Sequence, residues 1–157
     1  MNTHFEVLFI GGGNAGLSAS AHLLLQQPNL KVGIIEPSSK HYYHPAWTLV
    51  GGGVYDIKDT EREEKDYIPK GATWLQEYAQ TFIPEKNSVT TKEGNTYTYD
   101  YLVVCPGIQL NWSAIKGLPE TLGKNGVPSN YSFKYATYTF EVLKNFKGGN
   151  ILLNRQY

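Results

Sequence analysis

The sequence has few features of a cross-linked, strongly charged or membrane-spanning protein. Only one of its 157 residues, Cys105, is a cysteine, so neither an intramolecular disulfide nor a dithiol redox centre can form within this chain. Fourteen basic and fourteen acidic side chains leave no net charge, which argues against binding to nucleic acid or to an anionic membrane surface. No apolar run approaches the roughly 20 residues that a membrane-spanning helix needs.

A secretory leader is also not evident. The first apolar run begins at residue 5, and neither a basic segment nor a long apolar segment precedes it. We therefore expect a cytoplasmic protein. Hydrophobic residues make up 41% of the chain and charged residues 18%, which is typical of a globular protein with a hydrophobic core.

A glycine fingerprint near the N-terminus is the most informative feature. The apolar run at residues 5–10 leads into a Gly-x-Gly-x-x-Gly loop, and a segment with helical periodicity follows. A β-branched run at residues 31–35 then ends on Glu36. This order of strand, glycine turn, helix, strand and acid predicts a dinucleotide-binding unit, whereas a glycine-rich turn in some other α/β protein is the alternative. The apolar residues expected on one face of the helix are Leu17, Ala21, Leu24 and Leu25.

Each fingerprint residue has a physical task. Gly11 permits a tight turn, Gly13 lets a pyrophosphate approach the backbone, and Gly16 lets the helix pack closely against the strand. The N-terminus of the helix presents unpaired N–H groups to the phosphates. A carboxylate at Glu36 can accept both ribose hydroxyls of an adenosine and would repel a 2′-phosphate, so NAD or FAD is favoured over NADP.

Two segments follow that differ sharply in composition. Residues 41–53 contain five aromatic or imidazole side chains and end in three glycines, an unusual composition for a helix or a strand, which suggests a segment shaped around something else. Residues 56–66 are dense in charges of both signs, which predicts a solvated loop or short helix.

The C-terminal half predicts an antiparallel meander followed by a return to the parallel sheet. Residues 74–79, with an irregular end at 81–84, are the first expected strand of the meander, and residues 88–91 and 96–99 are the second and third. The continuous apolar run at residues 101–104 predicts a strand of a parallel sheet that is buried on both faces. The later patterns predict a linker at 108–134, a helix at 135–146 and the start of a strand at 151–153.

Several of these segments together resemble sulfide:quinone oxidoreductases, in particular the branch that includes the mitochondrial enzyme. The resemblance rests on the glycine fingerprint with Glu36 and on four further runs. The aromatic stretch is the most specific part, because the fingerprint is common to all flavoproteins with two dinucleotide domains. The runs that match are residues 36–51, 107–110, 115–120 and 129–132.

The resemblance implies an FAD site in an α/β, Rossmann-like FAD-binding domain with a parallel sheet and an inserted antiparallel β-meander. Glu36 would bind the adenosine ribose, Pro37 and Ser38 would line the adenosine end, and the backbone of Ala79 would meet the adenine edge. Gly107 would lie at the turn where a strand returns to the cofactor, and Pro45 and Trp47 would lie toward the flavin. The residues expected at the pyrophosphate are Gly11, Gly12, Gly13, Ala15 and Gly16.

The resemblance also implies an activity, and departures from the family qualify it. Members pass two electrons from sulfide, through a cysteine pair and the flavin, to a membrane quinone, and they are more than twice as long. Here both redox cysteines are missing, as are the later FAD-contacting segment and the C-terminal helices that bind membrane and quinone. Residues 154–157 also depart from the family's run. We therefore expect a truncated N-terminal portion that is inactive alone, with no catalytic residue of its own.

These inferences predict an FAD-binding domain at residues 1–118, and at 119–157 a linker, a helix and the first strand of a second dinucleotide-binding-like domain. Three functions stay open: a sulfide:quinone oxidoreductase, a non-catalytic FAD- or nucleotide-binding fragment, and an NADH-linked flavoprotein, against which residues 41–53 argue. His41 and His44 are expected to be structural rather than metal ligands. Cys105 is expected to be an inert, small apolar residue.

Overall fold

The computed structural model describes residues 3–153 and shows a mixed α/β fold. The helices are α1 (Asn14–Gln26), α2 (Trp47–Gly51), α3 (Leu118–Thr121) and α4 (Ala136–Asn145). The strands are β1 (His4–Ile10), β2 (Val32–Ile35), β3 (Lys40–Tyr42), β4 (Glu61–Glu63), β5 (Ala72–Leu75), β6 (Ala79–Ile83), β7 (Ser88–Thr91) and β8 (Thr96–Val104).

Six of these strands form one sheet in the order β5-β2-β1-β8-β7-β6. Strands β5, β2, β1 and β8 are parallel, whereas β6, β7 and β8 pair as an antiparallel meander. Strand β8 therefore belongs to both parts: residues 96–98 pair with β7 in the meander, and residues 98–104 pair with β1. The predicted fold class, a parallel sheet with an inserted antiparallel meander, is confirmed.

The core of the sheet follows the two-residue alternation of β1. Val7 and Phe9 are buried in a cluster with Leu17 and Leu24, so this face of the sheet packs against α1. Leu8 and Ile10, which alternate with them, are buried in a second cluster that also contains Phe5 of β1 and side chains from β2, β5, β7 and β8. Because successive side chains of a strand point to opposite faces, a short strand can bury both sets only at the centre of a sheet.

The chain divides into two compact units. The first contains the residues up to Tyr43 together with Glu61–Gln109, and it holds the six-stranded sheet and the small antiparallel pair of β3 and β4. The second combines His44–Thr60 with the residues from Leu110 onward. Its buried cluster contains Trp47, Val50 and Ala136, which join α2 to α4. The predicted domain boundary at residue 118 stays a prediction.

The meander begins later than the sequence pattern predicted. Residues 72–75 form β5, which pairs in parallel with β2 instead of opening the meander, and the meander consists of β6, β7 and β8. Leu75 is buried in the same cluster as Ile35, so the prediction for residues 74–79 was wrong. Alternation of apolar and polar residues predicts a strand, but it carries no information about which neighbour the strand pairs with.

Three predictions about exposure and pairing were also wrong. Leu25 is 81% exposed, because α1 packs on the sheet through Leu17 and Leu24. Residues 101–104 lie in the parallel sheet as expected, but Tyr101 is 72% exposed, so this strand is not buried on both faces. Residues 151–153 form no strand and are exposed. The departure of residues 154–157 from the family's run lies outside the described residues.

The buried face of β1 generates a first prediction. We expect Phe9→Ala to lower the free energy of unfolding by about 3–5 kcal/mol, because the fully buried ring leaves a cavity between the sheet and α1. Urea unfolding followed by circular dichroism measures the change. The matched control is Leu25→Ala, a truncation of an exposed side chain on α1, which should change stability by less than about 0.5 kcal/mol. Equal losses in the two variants would contradict this assignment of the core.

Candidate functional site

On one side, the glycine loop between β1 and α1 packs tightly against backbone atoms. Gly11 has φ +104°, a conformation that a residue with a side chain rarely adopts, and an added Cβ there would overlap the carbonyl oxygen of Cys105. An added Cβ at Gly16 would overlap the carbonyl oxygen of Gly11. Both glycines are therefore required for the close approach of β1, β8 and α1, as the fingerprint predicted.

The other side of the loop is open. An added Cβ at Gly13 would meet no atom within 4 Å, and Gly13, Asn14 and Ala15 are exposed. No side chain caps the N-terminus of α1, and its first turn contains no acidic residue. The helix therefore presents its first N–H groups and partial positive charge to a space that can hold an anionic group.

Glu36 lies at the end of β2, and its carboxylate is fixed by two backbone groups. The Gly12 N–H donates to Oε2 at 2.8 Å, and the Ser38 N–H donates to Oε1 at 2.7 Å. Each carboxylate oxygen has two lone pairs, so each can accept one further hydrogen bond. The carboxylate is thus held in place and can still accept the two hydroxyls of a ribose.

Trp74 also positions Glu36, and the sequence analysis missed it. Its indole N–H donates to the Glu36 carbonyl oxygen at 2.9 Å, while the Glu36 N–H donates to the Leu75 carbonyl oxygen at 3.0 Å. These bonds join the end of β2 to β5. The sequence feature that could have indicated this role is the tryptophan itself, because the indole N–H of a half-buried tryptophan needs a hydrogen-bond acceptor.

Glu64 is the least expected residue of the site. It was predicted to be solvated with the rest of residues 56–66, but it is only 1% exposed and its Oε2 lies 3.3 Å from Nδ1 of the buried His41. Burial, and secondarily the nearby charge of Glu36, raise the pKa of Glu64 to about 7. The prediction failed because the segment changes from exposed to buried at one residue. The exposed charges of the small β3–β4 sheet pair with each other, Lys40 with Glu61 and Glu63, whereas Glu64 follows β4 and is buried.

The remaining predicted cofactor residues of the first unit lie in three places. Pro37 is exposed just after Glu36, and Ser38 exchanges hydrogen bonds with the backbone of Lys40. Ala79 is the first residue of β6 and pairs with Thr91, and Gly107 follows β8 with φ +76°. Their assigned contacts with FAD stay predictions.

Pro45 and Trp47 belong to the second unit. Pro45 is exposed, whereas Trp47 is buried, with its ring centroid 4.1 Å from that of His44 and its indole N–H donating to the Thr60 hydroxyl at 3.0 Å. Partial burial lowers the pKa of His44, which favours a neutral imidazole. Trp47 is therefore a core residue of this unit, and its role toward the flavin stays a prediction.

Cys105 lies at the end of β8 with its sulfur 3.6 Å from the Gly11 carbonyl oxygen. Burial, together with the charge of Glu36, raises the pKa of the thiol, which favours the protonated form of Cys105 at neutral pH. Within residues 3–153 no group of three or more His, Cys, Asp or Glu side chains is arranged to hold a metal ion. No helix of the described part of the chain is both long and apolar enough to cross a membrane.

Comparison with known proteins connects this geometry to a family. Residues 5–139 match the family described as pyridine nucleotide-disulphide oxidoreductase. The chain belongs to this family. Its members depend on FAD, so the expected cofactor is confirmed at the level of the family.

The expected resemblance to sulfide:quinone oxidoreductases is also confirmed. The chain is 50% identical to the mitochondrial sulfide:quinone oxidoreductase of Dictyostelium discoideum and 38% identical to that of Mus musculus, over 94% and 95% of its residues. The solved sulfide:quinone oxidoreductase of Aquifex aeolicus superposes with a TM-score of 0.70 at 25% identity, over 90% of this chain and 32% of that one. The chain spans about a third (33%) of the length of both curated relatives.

One expectation is overturned by these relatives. The absence of an evident leader predicted a cytoplasmic protein, but the sulfide:quinone oxidoreductases of Dictyostelium discoideum, Mus musculus and Schizosaccharomyces pombe are all named as mitochondrial. The cytoplasmic prediction was therefore wrong. Composition and the first few residues of a sequence are weak indicators of compartment.

The loop geometry fits the ADP half of FAD. Gly13 leaves open space beside the N-terminus of α1, where a pyrophosphate can approach the backbone. Glu36 holds two acceptors at the end of β2 for the ribose hydroxyls. The Gly12 N–H is already bonded to Glu36, so Gly12 contributes by positioning that carboxylate, and its predicted pyrophosphate contact stays a prediction.

Two neighbouring glycines of this loop should respond differently to the same substitution. We expect Gly12→Ala to destabilise the chain by about 1–3 kcal/mol, because the new methyl group overlaps the Glu64 carboxyl and the Glu36 side chain. Gly13→Ala should change stability by less than about 1 kcal/mol. It should nevertheless weaken FAD binding on the order of tenfold, because its methyl group occupies the space left for the pyrophosphate.

Urea unfolding and titration with FAD measure the two effects. A Gly13→Ala chain that binds FAD as tightly as the unchanged chain would show that the pyrophosphate does not lie beside this residue.

Proposed function

We propose that this chain is the FAD-binding portion of a mitochondrial sulfide:quinone oxidoreductase and holds the ADP half of the cofactor on its glycine loop. The observation that supports this best is the Glu36 carboxylate, held by the N–H groups of Gly12 and Ser38 at the end of β2. A ribose-binding acid in that position, beside the open N-terminus of α1, matches the needs of an adenine dinucleotide.

Each part of the site has a proposed task. The N–H groups at the start of α1 donate hydrogen bonds to the pyrophosphate, Glu36 accepts hydrogen bonds from the ribose hydroxyls, and the backbone of Ala79 contacts the adenine edge. The full set of proposed contact residues is Gly11, Gly12, Gly13, Ala15, Gly16, Glu36, Pro37, Ser38, Pro45, Trp47, Ala79 and Gly107.

The proposed reaction is the two-electron oxidation of sulfide with a quinone as the final acceptor. When bound, FAD supplies the two-electron carrier between donor and acceptor. The relatives named for this reaction are about three times as long as this chain. What these 157 residues contribute is binding and orientation of the cofactor. Sulfide, quinone and peripheral attachment to a membrane are proposed for the whole enzyme.

A second candidate function is a non-catalytic FAD- or nucleotide-binding module. It is favoured by the cysteine content, because the chain's one cysteine, Cys105, is a protonated thiol beside Gly11 and cannot form a dithiol within this chain. The module and the enzyme portion share the same FAD site. They differ in whether sulfide reduces the bound flavin.

The visible spectrum of the purified chain separates the two functions. We expect a flavin absorption band after purification or after addition of FAD, because the loop and Glu36 are preformed. Anaerobic sulfide that bleaches this band faster than it bleaches free FAD supports the oxidoreductase. A band that responds no faster than free FAD supports the binding module, and failure to bind added FAD contradicts both.

The ribose contact gives a more specific prediction. Glu36→Ala should weaken FAD binding by about 10²–10⁴-fold, because two charge-assisted hydrogen bonds are lost, at about 1.5–3 kcal/mol each. Equilibrium dialysis measures the dissociation constant. Glu6→Ala is the matched control, since Glu6 also accepts a hydrogen bond from a backbone N–H, that of Lys31 at 2.8 Å, but lies at the opposite end of the parallel strands. An unchanged affinity in Glu36→Ala would place the ribose elsewhere.

A further inference from the structure

Gly12 lies against two acidic side chains. A Cβ added to this glycine would overlap Oε1 of Glu64 and would lie 2.7–2.8 Å from the Cγ and Cβ atoms of Glu36. The Glu36 carboxylate also accepts the Gly12 N–H. The turn that carries the predicted pyrophosphate contacts is therefore packed directly against two carboxyl groups that lie close enough to influence each other's charge.

The two carboxyl groups differ in the hydrogen-bond donors that surround them. Glu36 accepts two backbone N–H groups, whereas Oε1 of Glu64 is buried and has no hydrogen-bond partner among the described residues. Glu64 begins a short 3₁₀ turn (Glu64–Asp66), and its own N–H donates to the Ser39 carbonyl oxygen at 2.9 Å. The backbone thus holds the Glu64 side chain inside the unit, but it supplies no hydrogen-bond donor for Oε1.

The titratable groups that face Glu64 are His41 and Glu36. Nδ1 of His41 is 3.3 Å from Oε2 of Glu64, and the ring of Tyr67 stacks on His41 at 5.5 Å. Lys40, on the same strand as His41, bonds to Glu61 and Glu63 at the surface and not to Glu64. His41 is therefore the side chain in direct polar contact with Glu64.

We infer that Glu64 is a positioning residue for the FAD loop: a proton held on its buried carboxyl prevents two negative charges from meeting around Gly12, and release of that proton weakens cofactor binding. This inference rests on the proposed FAD site. It concerns a residue that touches Gly12 and influences Glu36, not a residue that contacts the cofactor.

The electrostatics fix the direction of the effect. A buried carboxylate and a half-buried one beside the same backbone turn disfavour double ionisation, and burial raises the pKa of Glu64 to about 7 from an ordinary value of 4.5. Because this pKa is raised in the folded chain, the stabilisation from the bound proton is fully present below about pH 4.5 and is lost as the pH rises through about 7. Above that pH the Glu64 carboxylate repels Glu36, which we expect to shift the ribose-binding carboxylate.

The experiment compares the FAD dissociation constant of the full chain at about pH 6 and about pH 8.5, on either side of the Glu64 pKa of about 7. We expect binding on the order of tenfold weaker at the higher pH, the size of effect that one like charge has at a partly screened site. Glu64→Gln, which keeps the shape but cannot ionise, should bind FAD equally well at both pH values.

The matched control is Glu63→Gln. It makes the same chemical change one residue earlier, at an exposed carboxylate that bonds to Lys40, and it should keep the pH dependence of the unchanged chain. If Glu64→Gln shows the same pH dependence as the unchanged chain, or if the unchanged chain shows none, the inference is wrong although FAD binding stands.

A second readout needs no FAD. The midpoint of urea unfolding should fall between about pH 5 and about pH 8 by more in the unchanged chain than in Glu64→Gln, since only the former loses the Glu64 proton. Equal falls overturn the inference, whereas failure of every variant to bind FAD at either pH overturns the proposed FAD site.

If Glu64→Gln does not fold, Glu36→Gln tests the same two carboxyl groups. Removing the charge of Glu36 takes away one of the two causes that raise the pKa of Glu64, so the pH at which stability is lost should move downward. An unchanged profile contradicts the inference.

Discussion

The contact between the Gly12 N–H and the Glu36 carboxylate is the interaction on which the rest of the site depends. It joins the loop after β1 to the end of β2, two segments that are 24 residues apart in sequence. The parallel pairing of β1 with β2 brings both strand ends to one edge of the sheet, where Ile10 faces Ile35. The site therefore depends on the register of a buried sheet, and any loss of that register would separate the loop from its acid.

Burial on both faces of β1 keeps this register. Val7 and Phe9 pack against α1, while Leu8 and Ile10 are buried on the opposite face, so a shift of one residue would exchange the two sets. Trp74 adds a directional constraint, because its indole N–H holds the Glu36 carbonyl oxygen. The hydrophobic core thus determines where the strands end, and a few hydrogen bonds at that edge orient the carboxylate that is proposed to bind the ribose.

The same end of the sheet also contains a buried carboxyl group, that of Glu64, which lacks a full set of hydrogen-bond partners. Glu64 is buried beside Glu36 with one oxygen unpartnered, and a buried carboxyl that lacks a donor destabilises the folded chain unless it holds a proton. Such groups occur more often at functional sites than in ordinary cores. Membership of a flavoprotein family explains the glycine loop and Glu36, whereas the position of Glu64 is a property of this chain's β3–β4 region.

The sequence by itself determined the order of strand, loop, helix, strand and acid, and hence Gly11, Gly13, Gly16 and Glu36, because local spacing sets these features. It also identified the family, through runs that stay contiguous in the chain. Only the tertiary structure decided that residues 72–75 join the parallel sheet, that Tyr101 is exposed, and that Glu64 is buried against Gly12. Strand partners and the burial of a charge depend on residues far apart in sequence, and no local pattern of polarity records which distant segment will cover a side chain.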